Sequence, residues 1–170
     1  MYTIETFLEL PIAHCLYRGA YSGLCCGNVY RDKGQCDGKD DRYDLGDKVF
    51  PILHGHTYKV TIKLASEELD KNGMVVDFKL MKKILREYFD RYDHSMILTP
   101  DNPLTKFYLE SNSKESNKKL IVWDENPTAE YMAKFWHDEI LKLFKKEKFN
   151  VKKVFVTVEE TSHNSVTFTN

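Results

Sequence analysis

From Tyr2 to His14 the even-numbered residues read Tyr, Ile, Thr, Leu, Leu, Ile, His, while Thr3, Glu5 and Glu9 fall on odd positions. A period of two with one apolar face marks a half-buried β-strand, because successive side chains leave opposite faces of a sheet. The same parity returns at His54, His56, Tyr58, Val60, Ile62 and Leu64, set against Thr57, Lys59, Thr61 and Lys63. Two long half-buried strands need a second layer over their apolar faces, which commits the chain to a sheet covered on one side.

The covering layer is also legible. Asn72-Gly73 is a turn signal, and from Asp77 to Tyr92 the residues Phe78, Met81, Leu85, Tyr88 and Tyr92 recur at helical steps. Asn126-Pro127 predicts a helix start with Pro at the first helical position, and the stripe Met132, Ala133, Trp136, Ile140, Leu143 and Phe144 carries that helix to about Lys146. Val154, Val156, Val158 and Glu160 then alternate as a third strand, and Val166 with Phe168 marks a fourth. The expected fold class is α+β, a four-stranded antiparallel sheet with two helices on one face in ββααββ order, forming one domain over 1–170. The Gly27–Ile52 stretch, rich in Gly and Asp and without sustained periodicity, reads as a long inserted loop. Its Asp37-Gly38-Lys39-Asp40-Asp41 run lacks the ligand order and terminal Glu of an EF-hand.

Charge excludes one class of function. Lys and Arg number 25 against 26 Asp and Glu in 170 residues, a net charge of −1, and the lysine pairs are scattered. Nothing in that balance supplies the footprint of a nucleic-acid binder. The amino terminus shows no basic segment followed by an apolar one, and no apolar run approaches the ~18 residues of a membrane span. A cytoplasmic protein with no membrane partner is the expectation. Cys15, Cys25, Cys26 and Cys36 crowd together, two of them adjacent, which is unlike a secreted disulfide framework.

His54-Gly55-His56 places two imidazoles on one face of a strand, where they can aim at a single point. His14 ends the preceding strand on the same parity and can supply a third. Three nitrogen donors leave the fourth position of a tetrahedral zinc open, the arrangement of a catalytic site. The alternative on spacing alone is a set of histidines that hydrogen-bond one another.

Six segments in order decide between them: Ile12-Ala13-His14, Leu53-His54-Gly55-His56-Thr57-Tyr58, Gly73-Met74-Val75-Val76-Asp77-Phe78, Tyr92-Asp93-His94, Asn126-Pro127-Thr128-Ala129-Glu130 and Glu160-Thr161-Ser162-His163-Asn164. Together they resemble the 6-pyruvoyl-tetrahydropterin synthase and 6-carboxy-tetrahydropterin synthase family, whose members adopt the tunnelling fold. The resemblance implies a Zn2+ cofactor on His14, His54 and His56, and a zinc-dependent lyase that eliminates triphosphate from 7,8-dihydroneopterin triphosphate. It implies that His94 moves protons while Asp93 orients its ring, a task suited to an imidazole; a cationic helix cap is the plain alternative. It implies that Glu160 accepts hydrogen bonds from the pterin, with Thr128 and Glu130 nearby, although Thr and Glu also suit a helix first turn. It implies a homo-oligomer, a trimer or a pair of trimers, with pockets at subunit boundaries. Asp77 and Phe78 also match, as helix start and core.

One family feature is displaced. Carboxy-forming members, which serve 7-deazaguanine and queuosine synthesis, carry a Cys-Gly step shortly before the histidine pair. Here Phe50-Pro51-Ile52-Leu53 stands in that place. Counted from His14, however, Cys25 and Cys26 fall eleven and twelve residues on, followed by Gly27. Cys26 is accordingly the expected catalytic base, with Cys25 its rival, Cys36 a weaker one and Cys15 a core residue. No Glu lies between Glu9 and Glu67, which argues against the branch that uses glutamate in that role.

Overall fold

The computed structural model describes residues 1–16, 53–110 and 119–169. The 27–52 loop, and with it Cys25, Cys26 and Cys36, lies outside the described residues. The first two strands are β1 (Tyr2–His14) and β2 (His54–Ser66), antiparallel over their full length with His14 opposite His54. Helix α1 (Phe78–Phe89) follows, capped by Asp77, whose Oδ1 accepts from the Leu80 amide at 3.0 Å. Then come β3 (Ser95–Leu98), α2 (Pro103–Glu110), β4 (Leu120–Val122), α3 (Ala129–Lys146), β5 (Lys153–Thr161) and β6 (Asn164–Thr169).

The sheet has six strands in the order β4-β3-β1-β2-β5-β6, and β3 runs parallel to both β1 and β4. This corrects the four-stranded antiparallel expectation: the sheet is mixed, and there are three helices among the described residues. The two added strands are four and three residues long, too short to display a period of two, and α2 sits in a stretch that reads as polar. The start of α3 also moves. Thr128, not Asn126, is the cap, accepting from the Tyr131 amide at 3.2 Å, and Pro127 stays outside the helix.

Parity dictates the core. Tyr58, Val60, Ile62 and Leu64 of β2 and Val154, Val156 and Val158 of β5 are fully buried beneath Met81 and Leu85 of α1 and Met132, Trp136, Ile140 and Phe144 of α3. Each such side chain removed from water contributes about 1.5–3 kcal/mol, so this face carries the fold. Phe78, expected in the core, is half exposed, because its place beside the Asp77 cap turns it outward. The opposite face is polar, and its register pairs opposite charges: Glu5 with Lys63 at 3.0 Å and Lys59 with Glu159 at 2.9 Å. No helix among the described residues is long and apolar enough to cross a membrane.

Candidate metal centre

The core face of the sheet ends in polar groups. Going along β1 the last inward position is His14, and going back along β2 the corresponding positions are Tyr58, His56 and His54. Antiparallel pairing in this register brings the three imidazoles together, with ring centroids 4.5–5.5 Å apart. Glu160 joins them from β5. The β5–β6 ladder slips between Glu159, opposite Ser165, and Thr161, opposite Asn164, so Glu160 is the extra residue of a bulge. Bulges re-aim side chains, and this one leaves the Glu160 carboxylate at the histidines, with Oε1 3.6 Å from His14 Nε2 and 3.5 Å from His56 Nε2.

One donor atom from each of His14, His54, His56 and Glu160 lies within 4.8 Å of every other. Four donors at about 2.0–2.1 Å from a tetrahedral zinc would stand about 3.3 Å apart, so the two Glu160 separations, 3.6 and 3.5 Å, need little closing. The donor chemistry, three imidazoles and a carboxylate, suits zinc equally well.

Hydrogen bonding fixes how His14 would serve. Its Nδ1–H donates to the Pro127 carbonyl at 2.8 Å, which leaves Nε2 as the acceptor nitrogen directed at the group. Burial, the largest influence, lowers the His14 pKa below the usual histidine value; the Pro127 bond and Glu160 raise it, while His54 and His56 lower it. A neutral imidazole results, which is the form that ligates metal. The exposures run from buried His14 through half-buried His56 and Glu160 to exposed His54, so the group opens to solvent on one side.

Against His14 and Glu160 lies a cleft of about 310 Å³, lined also by Thr128, Glu130 and residues of β6. The structure thus gathers the three expected metal ligands and the three expected substrate contacts at one place. Asp93 and His94 do not line it. They form their own pair, His94 Nδ1 to Asp93 Oδ1 at 3.1 Å, on the turn between α1 and β3. In the parallel β1–β3 ladder Ser95 aligns with Ile12 and Ile97 with His14, and His94 precedes that ladder on the turn. Cys15 is a buried core residue as expected, and burial pushes its thiol pKa up, against a smaller opposing bond from Asn102.

Two features of the site escaped sequence reasoning. Tyr58 shares the parity of His54 and His56, but its hydroxyl also reaches the site, 3.0 Å from His14 Nε2 and 3.1 Å from Glu160 Oε1. Burial, followed by the Glu160 charge, raises its pKa well beyond the usual tyrosine range, so it remains a donor. Pro127 acts through its carbonyl rather than as a helix initiator.

The family model for 6-pyruvoyl tetrahydropterin synthase matches residues 8–170. The chain belongs to this family. Among curated relatives it is 38% identical to a 6-carboxy-5,6,7,8-tetrahydropterin synthase from Rickettsia conorii over 102 residues, 59% of this chain and 72% of that one. To the protein of the same description from Aquifex aeolicus it is 32% identical over 90 residues, 53% of this chain and 56% of that one. In fold it is similar to an uncharacterised protein from Wolinella succinogenes, with a TM-score of 0.71 at 20% identity over 99% of this chain and 98% of that one. It is likewise similar to the Plasmodium vivax 6-pyruvoyltetrahydropterin synthase, with a TM-score of 0.62 at 17% identity over 100% of this chain and 99% of that one.

Proposed function

We propose that the protein is a zinc-dependent tetrahydropterin synthase that acts on 7,8-dihydroneopterin triphosphate and eliminates triphosphate, of the 6-carboxy-forming type. The observation that carries this reading is the His14, His54, His56 and Glu160 donor group, opening onto a cleft that Thr128 and Glu130 also line. The names of the curated relatives and the Cys26-Gly27 step both favour the carboxy-forming branch.

In this reading His14, His54 and His56 hold the zinc, whose positive charge makes the substrate's side-chain hydroxyls easier to deprotonate. Glu160 accepts two parallel N–H donors from the pterin ring, and Thr128 and Glu130 border the ring at the start of α3. Cys26 abstracts a proton from the side chain, and His94, oriented by Asp93, returns protons as the rearrangement proceeds. Because Asp93 and His94 stand away from the cleft of their own chain, they serve the cleft of a neighbouring copy. Among the described residues, the sheet ends at β4 and β6, whose outer edges offer backbone for such an association.

Zinc-loaded protein incubated with 7,8-dihydroneopterin triphosphate should release triphosphate, followed by phosphate assay and chromatography of the pterin. A trace indistinguishable from the no-enzyme control rejects the reading. Cys26→Ala should abolish turnover with zinc held near one per chain, and retained turnover would assign the base elsewhere.

A further inference from the structure

The His94 side chain is 77% exposed, so order in its turn has to come from the residues around it. Tyr92, two positions earlier, is fully buried, with the Phe89, Trp123 and Trp136 rings at centroid distances of 5.4–6.0 Å. Arg91 folds back over this anchor. Its Nη2 donates to the Tyr92 hydroxyl at 2.6 Å and to the Tyr88 hydroxyl at 3.4 Å, and its guanidinium carbon lies 4.7 and 5.0 Å from the two ring centres. One planar group thus joins a tyrosine in the last turn of α1 to a tyrosine beyond the helix end. Lys119 Nζ donates to the Asp90 carbonyl at 2.9 Å, and the Ser95 amide donates to the Tyr92 carbonyl at 3.1 Å. The turn is fastened before and after Asp93 and His94, and the pair projects between the fastenings.

We propose that Arg91 is a positioning residue for the Asp93-His94 pair: its fork ties Tyr92 to Tyr88 and so sets the direction in which the turn presents the imidazole. This rests on reading Asp93 and His94 as proton-transfer groups. Lysine cannot copy the tie, because an ammonium is a point charge that neither lies flat on two rings nor spans two hydroxyls with a rigid plane. The competing role for a cation just past α1 is to favour the negative end of the helix dipole, and lysine fills that role equally well. Position matters here because a misplacement of about 1 Å in a reacting group can cost ~10²-fold in rate.

The test compares zinc-loaded wild type with Arg91→Lys, His94→Ala and the double variant. Arg91→Lys should lower kcat about ten-fold or more, while KM and zinc content stay within about two-fold of wild type. With His94 gone nothing remains to be positioned, so adding Arg91→Lys to His94→Ala should change the residual turnover by less than about two-fold. A second readout needs no turnover: the His94 ring signals in NMR, sharp in wild type, should broaden or double in Arg91→Lys. Wild-type kcat in Arg91→Lys overturns the proposal and leaves Arg91 with the dipole role. So does a full additive loss in the double variant, which is the pattern of general destabilisation. Should Arg91→Lys fail to fold, Tyr88→Phe removes one hydroxyl of the tie and keeps its ring, and His94 signals as sharp as in wild type would then overturn the proposal. If His94→Ala itself retains wild-type turnover, the proton-transfer reading falls instead, and the His94 signals still report whether Arg91 fixes the ring.

Discussion

His14 and His94 each sit within reach of a carboxylate, yet the His14 side chain is 2% exposed at the end of a thirteen-residue strand and that of His94 is 77% exposed on a turn. His14 has a strand neighbour on either side, a carbonyl fixing its tautomer and a tyrosine against its ring edge. Among the described residues His94 pairs with Asp93, and its backbone lies in the left-handed region at φ 54°, which non-glycine residues enter at a cost. One residue type is thus held by two means. The sheet makes an imidazole a fixed donor, whereas the turn leaves it exposed to solvent.

The sharpest way to break this contrast is to remove each histidine and measure metal. His14→Ala should lower zinc affinity by more than about a hundred-fold in chelator competition, and retention of tight zinc would mean that His14 is not a ligand. His94→Ala should leave zinc at one per chain while turnover falls about 10²–10⁴-fold, the range for a lost proton-transfer group; unchanged turnover would return His94 to the plain role of helix cap. Mixed together after partial dissociation, these two inactive variants should regain about a tenth or more of wild-type turnover, because one copy supplies intact ligands and the other an intact Asp93-His94 pair. No recovery in demonstrably mixed oligomers would place both halves of the site in one chain.

Acidity sharpens the same comparison more gently. Because burial lowers the His14 pKa in the folded state, the unfolded chain binds more protons between that lowered value and about 6.5. Stability from the buried neutral imidazole is therefore complete above about pH 6.5 and lost as the pH falls below it. Metal-free protein should melt about 2–4 °C lower at pH 5.5 than at pH 7.5, and His14→Gln should flatten that dependence; a slope unchanged by the substitution would point to other groups. Smallest of all is Thr128→Ala, which removes the α3 cap and should cost about 1 kcal/mol in urea unfolding. A loss of pterin affinity beyond that would show Thr128 at the ring as well as at the helix.

Period and parity made β1, β2, α1, α3, β5 and β6 readable, because each is long enough to repeat its pattern and each buries one face. They also made the histidine trio readable, since parity alone puts His14, His54 and His56 on a common side. β3 and β4 were hidden by their brevity, and α2 by its polar surroundings. The Glu160 bulge was hidden for a different reason: a slip in register belongs to the pairing of two strands, and neither strand's sequence records it. Tyr58 was visible in the pattern, but a tyrosine on a buried face reads as packing until the position of its hydroxyl is known.

The bond from His14 to Pro127 joins residues 113 positions apart, and the β1–β2 register that aligns the histidines closes a loop of its own. Both closures, along with the docking of β5, must be complete before four donors face one another. Contacts of such long sequence separation form late in folding, after local helices and turns. Metal capture is therefore a clock on the end of folding: in a refolding reaction, tight zinc uptake should lag the recovery of helical signal. In the zinc reading, a newly made chain would acquire its metal as its last folding event.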